Sequence, residues 1–206
     1  MDIAVNLVES YLRLTGYLTL SEFEVQRKDK HGVFKTITDI DIMAMRMPGE
    51  RVALGSHGTK DCALLLLDDP VLQLEPDCVD VIIGEVKQGS AELNPGIKDQ
   101  GVLHSMLHRV AWLYDSPDLN PVVAGLQANL IHHAPARGGA GRIRTRLVAF
   151  GRSPSSDLNT ISTSHVVSTL LRFFEDNEDA LRPAQFRDPA PAFLRLLLKS
   201  GFEVRK

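Results

Sequence analysis

The segment VDVIIGEVK, residues 79–87, constrains the fold more than any other part of the chain. Its valines and isoleucines occupy both alternating faces, which is typical of a central strand that is covered on each side. Such a strand needs neighbouring strands and a helical layer on each face of the sheet. With 206 residues and 44% apolar side chains, the chain is long enough to build this around one sizeable core. The segment therefore predicts an α/β fold with a central sheet flanked by helices.

Other segments supply the remaining elements. Apolar residues at helical spacing predict a first helix that ends near Gly16, and KDKHG provides the turn of a hairpin between two strands. The predicted strands are residues 23–27, 36–45, 79–87 and 143–151, and the helices after the first are residues 98–114, 121–131, 166–175 and 191–200. The order α-β-β-β-α-β-α suits a mixed sheet, because a helical crossover normally joins parallel neighbours.

Composition excludes several classes of protein. The longest uninterrupted apolar stretches run about five residues, against the roughly 18 to 20 that a membrane-spanning helix requires. The first residues lack a basic segment followed by an apolar one, so we expect no secretory signal and a cytoplasmic protein with no membrane partner. Cys62 and Cys78 are too few for structural zinc and are expected to stay reduced.

The net charge of −3 hides an asymmetry between the two halves of the chain. Residues 1–100 carry 10 Lys and Arg against 17 Asp and Glu, whereas residues 101–206 carry 13 against 9. A negative net charge is unfavourable for a protein that coats nucleic acid. It permits an enzyme that holds a short length of nucleic acid, because local fields matter more than net charge.

Charged residues interrupt two of the predicted strands near their ends. Asp39 and Asp41 lie in TITDIDIMAM. Glu85 and Lys87 close VDVIIGEVK. Residues two apart share a face of a strand, so neighbouring strands would bring these carboxylates together. Like charges 4 Å apart repel by about 4 kcal/mol at an effective dielectric of about 20, and a divalent cation would reverse this. Oxygen ligands alone favour Mg²⁺ or Mn²⁺.

Asp41, followed after an interval of 43 residues by Glu85-Val86-Lys87, resembles the motif of the PD-(D/E)xK nuclease superfamily. This superfamily includes archaeal Holliday-junction resolvases and many restriction endonucleases. The resemblance covers residues 5–175 and implies a restriction-endonuclease-like α-β-β-β-α-β core. The chain departs from the motif in one place, because Ile40 stands where the motif has its proline.

The resemblance also implies roles for individual residues. Asp41 and Glu85 would bind Mg²⁺ or Mn²⁺, together with the carbonyl of Val86. Lys87 would orient the attacking water and stabilise the charge that develops on the phosphate. Glu9, on the first helix, is similar to the helical glutamate that supplements the metal site in the family.

Three polar residues near the motif have competing interpretations. Asp39 is the rival of Asp41, and we favour Asp41 because it directly precedes the apolar IMAM run. Asp80 points away from Glu85 by strand parity, so we interpret it as a residue at the start of the strand. Gln88 either contacts substrate or ends the strand.

A basic stretch precedes and includes the last predicted strand. Between residues 137 and 152 the chain has no acid and five arginines, Arg137, Arg142, Arg144, Arg146 and Arg152. Arg142, Arg144 and Arg146 alternate on one strand face, which suits a stripe that contacts phosphates of nucleic acid. A solvated edge strand that uses charge against aggregation explains them equally well.

Together these patterns predict a single domain over residues 1–206, with a core at 5–175, an insertion at 49–78 and a C-terminal helical extension at 176–206. The expected function is Mg²⁺- or Mn²⁺-dependent hydrolysis of DNA by a metal-activated water. One alternative is a catalytically inactive nucleic-acid-binding or assembly module with a nuclease-like fold. Another is an unrelated α/β domain whose charged strand ends form internal ion pairs. Many nucleases of this type act as homodimers, but no feature of the sequence fixes the stoichiometry.

Overall fold

The computed structural model describes residues 2–48, 67–139, 141–182 and 186–202. The helices are α1 (Ile3–Leu14), α2 (Gln100–His108), α3 (Asn120–Asn129), α4 (Thr163–Asp176), α5 (Glu178–Leu181) and α6 (Pro189–Lys199). The strands are β1 (Leu18–Lys28), β2 (Phe34–Arg46), β3 (Cys78–Ser90), β4 (Ile131–Pro135), β5 (Arg142–Arg152) and β6 (Thr160–Ser162). Short 3₁₀ turns lie at Pro70–Leu72, Pro95–Lys98, Ala111–Leu113 and Arg137–Gly139.

The strands form one mixed sheet in the order β1-β2-β3-β5-β4, and β6 pairs with β5. The β1–β2 and β2–β3 pairs are antiparallel, whereas β3 and β5 are parallel. The connection from β3 to β5 runs through α2 and α3, because parallel neighbours require a crossover. The predicted α/β class, with a mixed central sheet flanked by helices, is confirmed.

β3 lies between β2 and β5 in the middle of the sheet, which confirms the central position predicted for it. Its alternate residues pack into two separate cores. Val81 and Ile83 pack in a layer with α2 and α3, which we call the α2–α3 layer. Ile82 packs on the opposite face with α1 and α4, in the α1–α4 layer. This double coverage explains why both faces of the strand are apolar.

α1 ends where the sequence predicts. At its beginning, the carboxylate of Asp2 accepts a hydrogen bond from the amide of Ala4 at 2.6 Å, an ordinary N-cap. After its end, Gly16 has a φ of +91°, a left-handed conformation that glycine adopts without steric cost. Tyr11 and Leu12 are fully buried on its inner face. The helix is therefore held by its cap and by burial in the α1–α4 layer.

Some segments differ from the predicted elements. The helix predicted over residues 98–114 is divided into α2 and the turn Ala111–Leu113. The sequence does not predict β4 and β6, because strands of five and three residues carry too little alternation to be recognised. The predicted insertion at 49–78 lies partly outside the described residues, and β3 already begins at Cys78.

The C-terminal helix α6 packs beside α1. The amide of Ala190 donates a hydrogen bond to the side-chain oxygen of the buried Asn6 at 2.9 Å. Arg13 of α1 also forms an ion pair with Asp188 at 3.1 Å. Among the helices of the described ranges, none combines the length and the apolar composition needed to cross a membrane.

Candidate functional site

β2 and β3 stop pairing at the point where their charged residues lie. The last pair between the two strands is Ile42 opposite Gly84. Beyond this pair, β2 stays paired with β1, and β3 stays paired with β5. The first residues beyond it are Asp41 on β2 and Glu85 on β3. We call this place the fork, and it comprises Asp41, Glu85, Val86 and Lys87.

Asp41 bridges the two strands of the fork through its carboxylate. Its Oδ2 accepts a hydrogen bond from the amide of Val86 at 2.7 Å. The backbone here is irregular, because Ile40 packs in the α2–α3 layer and Ile42 in the α1–α4 layer, although regular alternation would put both on one face. The β1–β2 pairing also skips Asp41 and Glu22, which has a φ of +51°. Irregularities of this kind re-aim side chains beside functional sites.

Asp39 is more exposed than Asp41. It is exposed and lies opposite Glu24 in the β1–β2 pairing. Its charge still reaches the fork, where it is one of the smaller effects that raise the pKa of Asp41 and of Glu85. Asp41 is the one that reaches β3.

Glu85 and Lys87 project together from β3, as residues two apart in a strand do. The ammonium of Lys87 donates to Oε1 of Glu85 and forms an ion pair with it. Glu85 is only 3% exposed. Its second oxygen, Oε2, is buried and has no hydrogen-bond partner among the described residues. A buried polar atom without a partner costs free energy, so this oxygen marks a place where a ligand is expected.

Burial raises the pKa of both carboxyl groups at the fork. For Glu85, burial is the largest effect, and repulsion from Asp41 adds to it against the attraction of Lys87. For Asp41, burial outweighs the hydrogen bond from Val86 and the attraction of Lys87. The pKa of Lys87 is raised chiefly by its hydrogen bond to Glu85, so its ammonium stays protonated at neutral pH. A cation placed at such a site favours the ionised carboxylates.

The donor set of the fork fits a Mg²⁺ or Mn²⁺ ion. Asp41 and Glu85 provide carboxylate oxygens, one of them the partnerless Oε2 of Glu85. Mg²⁺ keeps several waters and commonly binds through one or two carboxylates and a substrate phosphate. In the part of the chain that the structure describes, no group of three or more His, Cys, Asp or Glu side chains is arranged to hold a metal. The amide of Val86 donates to the carboxylate of Asp41. The role of the Val86 carbonyl as a metal ligand stays a prediction.

Glu9 has hydrogen-bond partners of its own on α1 and β1. It is buried on α1, where its Oε1 accepts hydrogen bonds from Arg13 at 2.6 Å, Thr19 at 3.0 Å and Ser21 at 3.2 Å. No hydrogen bond or ion pair within the described residues links it to the fork. Its contacts join α1 to β1, and its role as a supplementary metal ligand stays a prediction.

Two of the arginines predicted to contact phosphates are buried instead. Arg144 is 2% exposed and Arg146 is 0% exposed. Both bind Asp80, with Arg144 Nε 2.6 Å from Oδ1 and Arg146 Nη2 2.8 Å from Oδ2. Tyr17 donates a further hydrogen bond to Asp80. The phosphate-contacting stripe is wrong at these two positions, and so is the solvated edge strand, because β5 lies inside the sheet.

Asp80 is the centre of this buried network and not simply a residue at the start of a strand. Burial by itself raises its pKa, but the guanidinium groups of Arg146 and Arg144 outweigh burial and hold the pKa below its ordinary value. Glu75 also lies 3.6 Å from Arg144, so two carboxylates, Asp80 and Glu75, balance the two guanidinium groups. They therefore contribute to folding and leave no charge for a ligand.

Arg142 and Arg137 lie far from the fork. Arg142 is opposite Cys78, at the beginning of β3, and its guanidinium forms an ion pair with Glu75 at 3.0 Å. Cys78 is about 23 Å from Glu85 along β3 at the usual rise per residue. Arg137 is exposed in the turn before β5. Neither arginine borders the fork, and their predicted contact with nucleic acid stays a prediction.

Gln88 and Asp2 lie beside the fork. The side-chain amide of Gln88, which is exposed, donates to Oδ2 of Asp2 at 3.2 Å. After burial, the charge of Asp2 is one of the effects that raise the pKa of Asp41. The sequence gives little indication that Asp2 lies beside the fork, because an acid before a helix is ordinarily interpreted as its N-cap.

No protein-family model matches the chain, and neither a curated protein nor a solved structure does. The fork itself offers two carboxyl groups of raised pKa, one partnerless buried oxygen and a protonated lysine. A divalent cation beside a cationic side chain is the combination that stabilises charge in phosphoryl chemistry.

Proposed function

We propose that the protein is a Mg²⁺- or Mn²⁺-dependent nuclease that hydrolyses phosphodiester bonds of DNA. The fork carries this proposal. Asp41 and Glu85 lie at adjacent positions on two strands, Lys87 contacts Glu85, and Oε2 of Glu85 is buried without a partner. A bound cation is the simplest explanation for a buried carboxylate that is left unsatisfied.

The order of the elements supports the same proposal. α1 precedes three strands that pair in sequence, and a helical crossover leads from β3 to the parallel strand β5. The resemblance to PD-(D/E)xK nucleases implies the order α-β-β-β-α-β, and the observed order agrees with it when α3 and β4 are treated as additions before β5. Asp41 on the second strand and Glu85-Val86-Lys87 on the third then correspond to the acid and the acid-x-lysine of that motif.

Each fork residue has a distinct task in this reaction. Asp41 and Glu85 would hold the cation, with the Val86 carbonyl as a further oxygen, and the Val86 amide orients the Asp41 carboxylate. A bound Mg²⁺ or Mn²⁺ polarises the phosphate and lowers the pKa of a coordinated water. Lys87 stays protonated because its pKa is raised. It would orient the water and stabilise negative charge on the phosphate.

Removing the Lys87 ammonium tests the proposal. We expect Lys87→Ala to keep its fold and to cleave DNA about 100- to 1000-fold more slowly, the usual loss when one charge-stabilising donor is removed. The measurement uses labelled duplex DNA, single-stranded DNA and RNA of one sequence, with Mg²⁺, Mn²⁺ or EDTA. Lys199→Ala, on the exposed face of α6, makes the same charge change away from the fork and should cleave as the wild type does. Wild-type rates for Lys87→Ala with Mg²⁺ would refute the proposal.

A non-catalytic nucleic-acid-binding or assembly module is the second candidate. The ion pair that already joins Lys87 to Glu85 favours it, as does the lack of a third acidic ligand among the described residues. Such a module binds DNA equally well with Mg²⁺ or EDTA and cleaves under neither condition. The same panel of substrates and metals therefore separates the two candidates.

A further inference from the structure

The β1–β2 hairpin extends beyond the sheet on the same side as the fork. β2 and β3 stop pairing at the fork, whereas β1 and β2 stay paired as far as Lys28 opposite Phe34. We call residues 26–36 the basic hairpin. All of its residues except Asp29 are exposed.

The basic hairpin concentrates positive charge in the acidic half of the chain. It carries four basic residues and one acid, Arg27, Lys28, Lys30 and Lys35 against Asp29. The carboxylate of Asp29 accepts hydrogen bonds from the amides of His31 and Val33 in the turn, and it forms an ion pair with Lys35 at 3.1 Å. Lys28 and Lys30 have no carboxylate partner among the described residues. Their two charges are therefore available to an anionic ligand.

An aromatic ring lies beside these lysines. Phe34 is 63% exposed, and the ammonium of Lys28 is 5.8 Å from the centroid of its ring. Exposed cations next to an apolar ring match a nucleic acid backbone, where phosphates alternate with the apolar faces of sugars.

The base of the hairpin is fixed to the body of the protein. Arg27 forms an ion pair at 2.6 Å with Asp99, which caps the N-terminus of α2. The guanidinium of Arg109 lies 4.6 Å from the ring centroid of Phe23, on β1. These two contacts hold the basic hairpin at a set position relative to the fork.

We propose that the basic hairpin binds the phosphate backbone of duplex DNA at a distance from the bond that is cleaved at the fork. Phe34 is about 23 Å from Asp41 along β2 at the usual rise per residue. That distance spans about 7 bp of a duplex that repeats every 34–36 Å. Two fixed contact points suit a stiff duplex better than a flexible single strand. The inference rests on the proposed function for the position of the cleaved bond.

Binding measured without cleavage tests the lysines. Anisotropy of a labelled DNA stem-loop with a stem of about two turns is recorded in EDTA from about 50 to 200 mM NaCl. We expect Lys28→Gln/Lys30→Gln to bind about tenfold more weakly at about 0.1 M NaCl, with a log–log salt slope smaller by about 1.8. Lys28→Arg/Lys30→Arg keeps both charges and should bind as the wild type does. Arg172→Gln/Lys199→Gln, on α4 and α6, is the matched control, and melting curves verify that every variant is folded.

Stem length tests the distance. On stems shorter than about 6 bp the DNA cannot reach the fork and the hairpin together, so we expect the wild type and Lys28→Gln/Lys30→Gln to bind alike. On the long stem, equal affinity and equal salt slope for the wild type and Lys28→Gln/Lys30→Gln would overturn the inference. An equal loss on short stems and on single strands would overturn the duplex contact. Wild-type binding of polyglutamate or anionic vesicles with the same dependence on the two lysines would make the hairpin a general surface for acidic partners and would also overturn it.

Cleavage by the wild type with Mg²⁺ is measured in parallel and distinguishes the two proposals. Cleavage without any hairpin-dependent binding refutes only the hairpin contact. Hairpin-dependent binding of the long stem without cleavage refutes only the nuclease.

Discussion

Asp41 and Glu85 are ionisable side chains at the border of a buried core, and burial raises the pKa of both. A raised carboxyl pKa means that folding favours the protonated form. The resulting stability is fully present below the ordinary pKa values, 3.8 for Asp41 and 4.5 for Glu85, and is lost as the pH rises through the higher values of the folded state. At neutral pH the two carboxylates therefore weaken the fold, and a cation that binds them restores stability.

Neutralising Asp41 should raise the stability of the protein and remove its response to Mg²⁺. We expect Asp41→Asn to melt at a higher temperature than the wild type at neutral pH in EDTA, because the uncharged side chain removes the repulsion from Glu85. Mg²⁺ at about 100 times its dissociation constant should stabilise the wild type by about 2.7 kcal/mol and leave Asp41→Asn unchanged. Thermal melts with and without Mg²⁺ measure both effects. Asp39→Asn, which changes an exposed neighbour, should keep the Mg²⁺ response, and an equal response from Asp41→Asn would contradict the assigned site.

At the scale of secondary-structure elements, close packing of β2 against β3 positions the fork. Gly84 is part of the last pair between these strands. A Cβ atom added there would lie 2.6 Å from Cγ2 of Ile42 and 3.1 Å from Cε2 of Phe150. Only a glycine allows the strands to approach this closely one residue before Glu85.

Gly84→Ala should therefore both destabilise the protein and impair the fork. We expect a loss of about 1–3 kcal/mol in the free energy of unfolding, the usual cost of overpacking a core, together with slower cleavage. Gly89→Ala is a control on the same strand, because nothing lies within 4 Å of its added Cβ, and it should change the free energy by less than about 0.5 kcal/mol. Urea unfolding of both variants measures the difference in their free energies of unfolding. Equal stabilities would show that the fold does not need the close approach of β2 and β3 at Gly84.

At the scale of the whole molecule, the network around Asp80 joins distant segments. Arg144 donates to the carbonyls of Leu72 and Gln73 at 3.0 and 2.7 Å, and Tyr17 brings in the connection after α1. Because the pKa of Asp80 lies below its ordinary value of 3.8, its contribution is present above that pH and is lost as the pH falls through the lower pKa of the folded state.

Removing Asp80 would leave the buried guanidinium of Arg146 without a counter-charge among the described residues, and that of Arg144 with only Glu75, at 3.6 Å. We expect Asp80→Ala to lower the free energy of unfolding by about 3–5 kcal/mol at neutral pH. When the pH falls below the ordinary Asp range, the variant should lose less of its free energy of unfolding than the wild type does. Arg142→Ala breaks an exposed ion pair on β5, the strand that carries Arg144 and Arg146. It should lower the free energy of unfolding by less than about 1 kcal/mol. Urea unfolding at neutral and acid pH measures the two variants, and similar losses for both would contradict the role of the buried network.

The main architecture and the position of the motif follow from local patterns. The β-branched alternation of β3 and the capped, amphipathic α1 depend on residues close together in the chain, so they can be recognised without a structure. The same local reasoning places Lys87 beside Glu85 on one face of β3, whereas the pairing of β2 with β3 comes from the structure. β4 and β6 could not be recognised in this way, because each is too short to display a period.

By itself, the sequence determined the α/β class and the central strand, since propensity and periodicity act over a few residues. Only the tertiary structure decided which charges are buried. Alternation puts Arg144 and Arg146 on one face of β5, but it does not tell whether that face meets solvent or the acid of Asp80. Likewise, only the structure shows that the β2–β3 pairing ends at the fork while β2 stays paired with β1 and β3 with β5. Such contacts join residues far apart in the chain, and their energy depends on the packing of several elements at once.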